Sequence, residues 1–362
     1  MLIFLLLTCL KSSIFDKCPF FLFITFLFTN MKTKLTQLLN IDFPIIMAPL
    51  FLVSNEAMVV AAMNNGIAGA FPSLNFRKDG ELFELLDRLN IEKNKLNVNG
   101  TYGVNLIVQQ TNPLYRKHLD ICVEKKVPYY ITSLGSPKEV IEKAHAYGAK
   151  VFCDVTNLEH AQKCFNLGCD GFIAVGQGAG GHAGPNPLQV LIPALQHKFK
   201  NTPVIAAGGI ASGEGILSML VLGAAGVSIG TRFIASAEAT VSDDYKNAIV
   251  SSKMNDIVLT EKISGTPCTI INTAFAKKIG YKQNWLERAL SNNANTKKYF
   301  KMWVQVTGMK KLEKSVKPGN YDSLWCAGQS VELIDDILSC KEIIERLRNE
   351  TNQALKNLEL LN

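Results

Sequence analysis

The sequence predicts a closed barrel of eight βα units, an α/β fold of the (β/α)8 TIM-barrel class, and two observations carry the prediction. Between Ile45 and Thr231, short apolar runs alternate with amphipathic stretches, as repeated βα units do. Eight such runs can be counted, and the first is not followed by the glycine-rich turn that a dinucleotide-binding open sheet carries after its opening strand.

The predicted strands are residues 44–50, 67–71, 102–108, 129–134, 150–155, 171–175, 203–207 and 226–229. Most are continuous apolar runs without alternation, the pattern of parallel strands covered on both faces. The stretches between them read as helices. Ser136-Pro137-Lys138-Glu139 supplies an N-cap, a proline at the first helical position and a reciprocal glutamate, and Gly148 stops that helix. Ser54 to Gly66 and Asn157 to Gly168 repeat the polar cap and the glycine stop.

The alternation ends near residue 245. Residues 246–320 are rich in Lys, Asn and Thr, contain Trp285 and Trp303, and show helical patches without strand runs. Inserted after the eighth strand, they are expected to form a helical cap over the barrel mouth, a substrate subdomain beside the 31–245 barrel. Residues 321–362 then return through Trp325-Cys326-Ala327-Gly328-Gln329 into an amphipathic helix with Leu333, Ile334, Ile337 and Leu338 on one face.

The first thirty residues stand apart. They hold two apolar runs, each short of the roughly 18 residues of a membrane-spanning helix, with Asp16 and Lys17 between them. A single signal peptide fits them poorly. Met31 is read as the start of the native protein, and 1–30 is left out of the fold.

Bulk properties narrow the function. A chain of 362 residues, 48% hydrophobic, can bury a large core. Its formal charge of +7 is spread along the chain, which gives little support to a nucleic-acid partner. Nine cysteines without a CxxC pair indicate neither a disulfide framework nor a zinc site, so a reduced, cytoplasmic protein without stable membrane association is expected. A homodimer is left open.

The active site of such a barrel lies at the C-terminal strand ends, with phosphate commonly bound after strands seven and eight. Those ends read Ala207-Gly208-Gly209 and Gly230-Thr231. Glycines let backbone N–H groups approach phosphate oxygens, and Thr231 adds a hydroxyl, which implies a phosphorylated cofactor. After strand six comes Gly176-Gln177-Gly178-Ala179-Gly180-Gly181-His182. It contains GxGxxG, but His-Ala-Gly-Pro-Asn-Pro cannot open a helix directly and no acidic residue follows about 20 positions on. A glycine stretch lying against a flat ring and then presenting an imidazole is the better account.

Of five histidines, His118, His145, His160 and His197 fall in predicted exterior helices, and only His182 follows a strand end. A group titrating near neutral pH suits a proton-transfer step, so His182 is the candidate catalytic residue. Ala48-Pro49 is compact enough for a ring to lie against. Asn105 sits among apolar neighbours and needs a partner in a ligand or in the barrel. Gln329 is a candidate hydrogen-bonding group where the chain returns from the cap. Ser133 and Asp154 read equally as ordinary caps and are left out of the site.

Together, PIIMAPL at the first strand, GVNL around Asn105, GAGGHAG around His182, AAGGIASGEGI, GTRFIASAEA and AGQSVELIDDI resemble the nitronate monooxygenase family from about Phe43 to Leu338. The resemblance implies FMN, with its phosphate at Gly208–Gly209 and Gly230–Thr231 and its ring near Ala48, Asn105 and Gly180–Gly181. It implies oxidation of a small nitronate by oxygen, with His182 as base or positioning group. One departure is Gly178, where many members carry a glutamate; this touches substrate specificity. The alternatives are an FMN-dependent enoyl-acyl-carrier-protein reductase using NAD(P)H, with Lys310, Lys311, Lys314 and Lys317 as a docking patch, and a flavin-binding barrel without turnover. The inosine-monophosphate dehydrogenase type is set aside, because neither Cys153 nor Cys268 has the setting of a nucleophile.

Overall fold

The computed structural model describes residues 31–109, 111–263, 267–282, 304, 307–308, 311–316 and 323–360. The leader 1–30, on which the reading of Met31 as the start depends, lies outside them, as do Trp285, Trp303, Lys310 and Lys317.

Eight parallel strands close on themselves. They are β1 (Ile45–Met47), β2 (Ala68–Pro72), β3 (Thr101–Ile107), β4 (Tyr129–Ser133), β5 (Lys150–Val155), β6 (Gly171–Val175) and, beyond a two-residue strand β7 (Gly181–His182) outside the barrel, β8 (Val204–Ala207) and β9 (Gly226–Ile229). β1 pairs with both β2 and β9, which completes the ring. β5, β6 and β9 keep the predicted bounds, whereas β1 shrinks to three residues ahead of Pro49, which has no N–H to give a ladder.

The barrel interior is filled by Ile46, Ala68, Ala70, Tyr129, Ile131, Phe152, Ile173 and Ile205, all nearly or fully buried. Large rings sit opposite glycines. A Cβ on Gly103 would lie 2.4 Å from the Tyr129 ring, whose hydroxyl crosses to donate to Gly69 O at 3.1 Å. The helix Lys34–Leu39 closes the lower end, with Leu35 against Gly226, the first residue of β9. Outside, helices lay apolar stripes on the strands, as Leu82, Leu85, Leu86 and Leu89 do on Glu81–Asn94.

Several local expectations are corrected. Residues 246–320 are not strand-free: β10 (Ile257–Thr260) and β11 (Cys268–Ile271) pair antiparallel, and β11 pairs in turn with β7. A two-residue strand and a fully buried four-residue strand give no period to read. Residues 334–338 are not helical. The chain makes a 3-10 turn over Gln329–Leu333 and runs extended, with Leu333 and Ile337 exposed and Ile334 buried. The helix starts only at Cys340, where Ser339 and Glu342 form a reciprocal capping box, and runs to Glu359.

Ser136 does not cap its helix, which starts at Lys138 behind Pro137 without a side-chain capping bond. Asn55, not Ser54, caps Glu56–Asn64 by accepting from Met58 N at 3.0 Å. Asn157 caps Leu158–Asn166 as expected.

The C-terminal helix ties the helix between β8 and β9 to the one that follows β1. Gly213 N donates to Glu350 Oε2 at 2.8 Å, and Arg348 Nη2 donates to Asn65 O at 2.6 Å. Among the described residues no helix is long and apolar enough to cross a membrane, and the seven described cysteines are free.

Candidate active site

The C-terminal strand ends enclose a cavity of about 1350 Å³. Its wall includes Ala48, Pro49, Asn105, Gly180, Gly181, His182, Gly208, Gly209, Gly230 and Thr231, so the structure brings together ten of the eleven candidate residues. Gln329 is the exception. It is exposed at the start of the 3-10 turn, and its buried neighbour Ser330 reaches the wall instead. His160, expected on the exterior, reaches the cavity rim with Lys163 from the helix Leu158–Asn166. Residues 246–320 add Leu259, Ile263, Pro267, Cys268 and Leu312.

On one side the wall is backbone. A Cβ on Gly178 would lie 3.0 Å from Gly209 Cα, one on Gly180 2.8 Å from Gly328 N, and one on Gly208 2.7 Å from Ala179 N. Three chain segments therefore lie backbone to backbone. Gly208 and Gly209 hold φ of +116° and +76°, a region that favours glycine. The close approach also accounts for Gly178: a larger residue there needs the Gly208–Gly209 loop to give way. Thr231 Oγ1 accepts from Gly328 N at 3.1 Å, which joins the end of β9 to the returning chain.

His182 projects from β7, which is held by β11 through the pair Cys268–His182. Thr269 on β11 donates its hydroxyl to Ala179 O, so the cap sheet also anchors the glycine segment that precedes the histidine. The imidazole is solvent-exposed at the cavity. His118, in contrast, is buried in its helix and His145 pairs with Asp170 at 2.8 Å, both consistent with packing or surface roles. Cys268 is buried, and the neighbouring Cys326 thiol together with burial pushes its thiol up, the opposite of what a nucleophile needs.

On the other side the wall is side chain. Asn105 Nδ2 donates to Ile131 O at 3.1 Å and to Ser133 Oγ at 2.8 Å, and Ser133 Oγ donates to Asp154 Oδ2. Burial pushes the Asp154 carboxyl up to about 6, while the Ser133 hydrogen bond pulls it down. Sequence reasoning set Ser133 and Asp154 aside. The available signal is that both lie at the C-terminal ends of successive strands, one residue beyond the paired Thr132 and Cys153.

The nitronate monooxygenase family's sequence profile matches residues 71–350. A probable nitronate monooxygenase of Staphylococcus saprophyticus is 29% identical over 368 residues, covering 90% of this chain and 99% of the relative. A (3aS,4S,5R,7aS)-5-hydroxy-7a-methyl-1-oxo-octahydro-1H-indene-4-carboxyl-CoA dehydrogenase of Rhodococcus jostii is 25% identical over 359 residues, 92% of this chain and 98% of the relative. Among solved structures, FabK from Thermotoga maritima superposes with a TM-score of 0.78 at 29% identity, over 92% of this chain and 100% of its own. With the barrel, the glycine cradle and the strand-end histidine in place, the profile match over most of the chain shows that this protein belongs to the nitronate monooxygenase family and is a flavin oxidoreductase.

Proposed function

We propose that this chain oxidises small alkyl nitronates with oxygen to a carbonyl compound and nitrite, using FMN. The observation that carries the reading is the placement of His182 on a braced strand, facing a cavity whose neighbouring wall is a glycine cradle. The residues present fit the cofactor: side chains at Gly178, Gly180 and Gly208 would fill the space between the loops, and a Cβ on Gly209 would meet nothing nearer than 3.8 Å. In this reading Gly208, Gly209, Gly230 and Thr231 hold the phosphate, and Ala48, Pro49, Asn105, Gly180 and Gly181 border the ring. Residues 31–245 are the FMN-binding barrel, 246–320 the cap over the substrate, and 321–362 the return segment.

His182 does the work of this chain at the substrate. Protonated, it holds the negative charge of a nitronate; neutral, it takes the α-proton of a nitroalkane. The chemistry supplied by bound FMN is acceptance of electrons from the substrate and their return to oxygen. The glycine loops and the cap fix position. Nitrite release from small nitronates in air, without a nicotinamide, is the expected result. No nitrite from any of them, with or without NADH, overturns the reading.

A second reading is favoured by the cavity itself. The cavity of about 1350 Å³ takes the flavin and a substrate together, and Leu50, Leu52, Leu74 and Leu134 make much of its wall apolar. An FMN-dependent enoyl-acyl-carrier-protein reductase using NAD(P)H would use that space for an acyl chain, with exposed Lys311 and Lys314 facing an acidic carrier. NADH oxidation by an enoyl thioester, without nitrite from nitronates, favours it. The inert flavin-binding reading is dropped, because the relatives are named as a monooxygenase and a dehydrogenase.

A further inference from the structure

We propose that Asp154 is a positioning residue of the cofactor site: acting through Ser133, it fixes the Asn105 carboxamide so that its oxygen faces the bound ring. The inference rests on the flavin reading above.

A backbone carbonyl can only accept, so the bond to Ile131 O sets which end of the carboxamide is nitrogen. The second Nδ2 hydrogen goes to Ser133 Oγ. Both donors are consumed, and Oδ1, an acceptor, is the atom Asn105 offers to a ligand in the cavity it lines. A flat heteroaromatic ring with an N–H at its edge is the matching partner.

The direction of the line depends on Asp154. An ionised carboxylate only accepts, so the Ser133 hydroxyl must point at it and its oxygen must receive from Asn105. Each bond polarises the next, which makes Asn105 Oδ1 the stronger acceptor. Once protonated, Asp154 can donate to Ser133, the hydroxyl hydrogen is no longer committed, and the line loses its single direction. Because burial holds the carboxyl near 6, this change falls inside a working pH range.

The groups around Asp154 leave it in control of that change. β4 presents Ser133, and β6 presents the apolar Ile173 and Val175. The helix Leu158–Asn166 brings Cys164, His160 and Lys163 to the cavity; Lys163 pairs with Glu159 at 2.7 Å and His160 Nδ1 meets Thr156 Oγ1 at 3.3 Å. The helix Lys138–His145, behind β5, carries Lys138, Glu139, Glu142, Lys143 and His145. Lys138 pairs with Glu142, Lys143 with Asp120 and Glu139, and His145 with Asp170. Cys153 lies beside Asp154 on β5, and His182 shares the cavity.

The test is the dissociation constant of FMN, read from flavin fluorescence on dilution of the holoenzyme between pH 5 and 8, for wild type, Asp154→Asn and Ser133→Ala. The phosphate of FMN titrates near 6 as well, so the informative quantity is the ratio of variant to wild type, repeated with riboflavin. The Asp154→Asn ratio is expected to rise from near one at pH 5 to roughly three- to tenfold at pH 7.5, the size of one hydrogen bond. Ser133→Ala, which keeps the carboxylate, is expected to give weaker binding and a flattened pH dependence. A constant Asp154→Asn ratio overturns the proposal. A Ser133→Ala protein that keeps the wild-type dependence overturns transmission through Ser133. Circular dichroism verifies that both variants are folded. Wild type that binds neither flavin at any pH overturns the flavin reading, and this inference with it; binding with a constant ratio overturns this inference alone.

Discussion

The two halves of the barrel mouth are built from different materials. After β6 and β8 the wall is largely main chain, with Gly178, Gly180 and Gly208 so close to neighbouring backbone that a methyl group has no room. At β3, β4 and β5 it is side chain, an amide, a hydroxyl and a carboxyl in a line. A main-chain wall binds through N–H groups that never titrate and cannot be altered without moving the loop. A side-chain wall can be altered one group at a time and responds to pH. The first half is suited to holding an anion without itself responding to pH, the second to adjusting what is held.

Four measurements break or sharpen this contrast. The largest effect is expected at His182, the titratable side chain carried at the end of the main-chain half. His182→Asn should lower turnover of a neutral nitroalkane by about 10²- to 10⁴-fold and of the preformed nitronate by much less; equal losses would remove the base role.

Next is Gly208→Ala. A side chain at φ +116° and 2.7 Å from Ala179 N is expected to cost about 1–3 kcal/mol of stability in urea unfolding and to reduce the flavin that copurifies. Unchanged stability and flavin content would show that the loop adapts and is not a rigid cradle.

The third concerns the other half. The Asp154 carboxyl is held near 6 in the fold against an ordinary value of 3.8, so the folded state binds the proton more tightly than the unfolded. Its contribution is present in full below pH 3.8 and is lost as pH rises through about 6. Flavin-free wild type should lose on the order of 2 kcal/mol relative to Asp154→Asn between pH 4 and 7. Parallel stability curves would contradict a desolvated carboxyl.

The smallest effect is expected at Thr269→Val, which removes the hydroxyl bond to Ala179 O. A loss of about 1 kcal/mol, with a raised KM and little change in kcat, would fit a brace and not a participant.

The contrast also explains what the sequence made legible. The barrel could be read because parallel strands leave continuous apolar runs, and the main-chain wall because glycines cluster at the ends of strands. The β10-β11-β7 sheet could not be read, since it joins Gly181–His182 to residues nearly ninety positions away and its strands carry no local period. Ser133 and Asp154 are individually ordinary polar strand ends; only the register of β4 on β5 makes them neighbours. Gln329 was misplaced because the 3-10 turn over Gln329–Leu333 exposes it and buries Ser330.

The backbone contact between Gly180 and Gly328, with the Gly328–Thr231 hydrogen bond beside it, bears on the order in which the protein is made. When β9 has left the ribosome, all eight barrel strands exist, yet Gly328, which presses on Gly180, is still about a hundred positions from emerging. A nascent chain at that stage has a barrel without a finished pocket. Flavin capture during synthesis is therefore expected late, after residue 328 has cleared the exit tunnel.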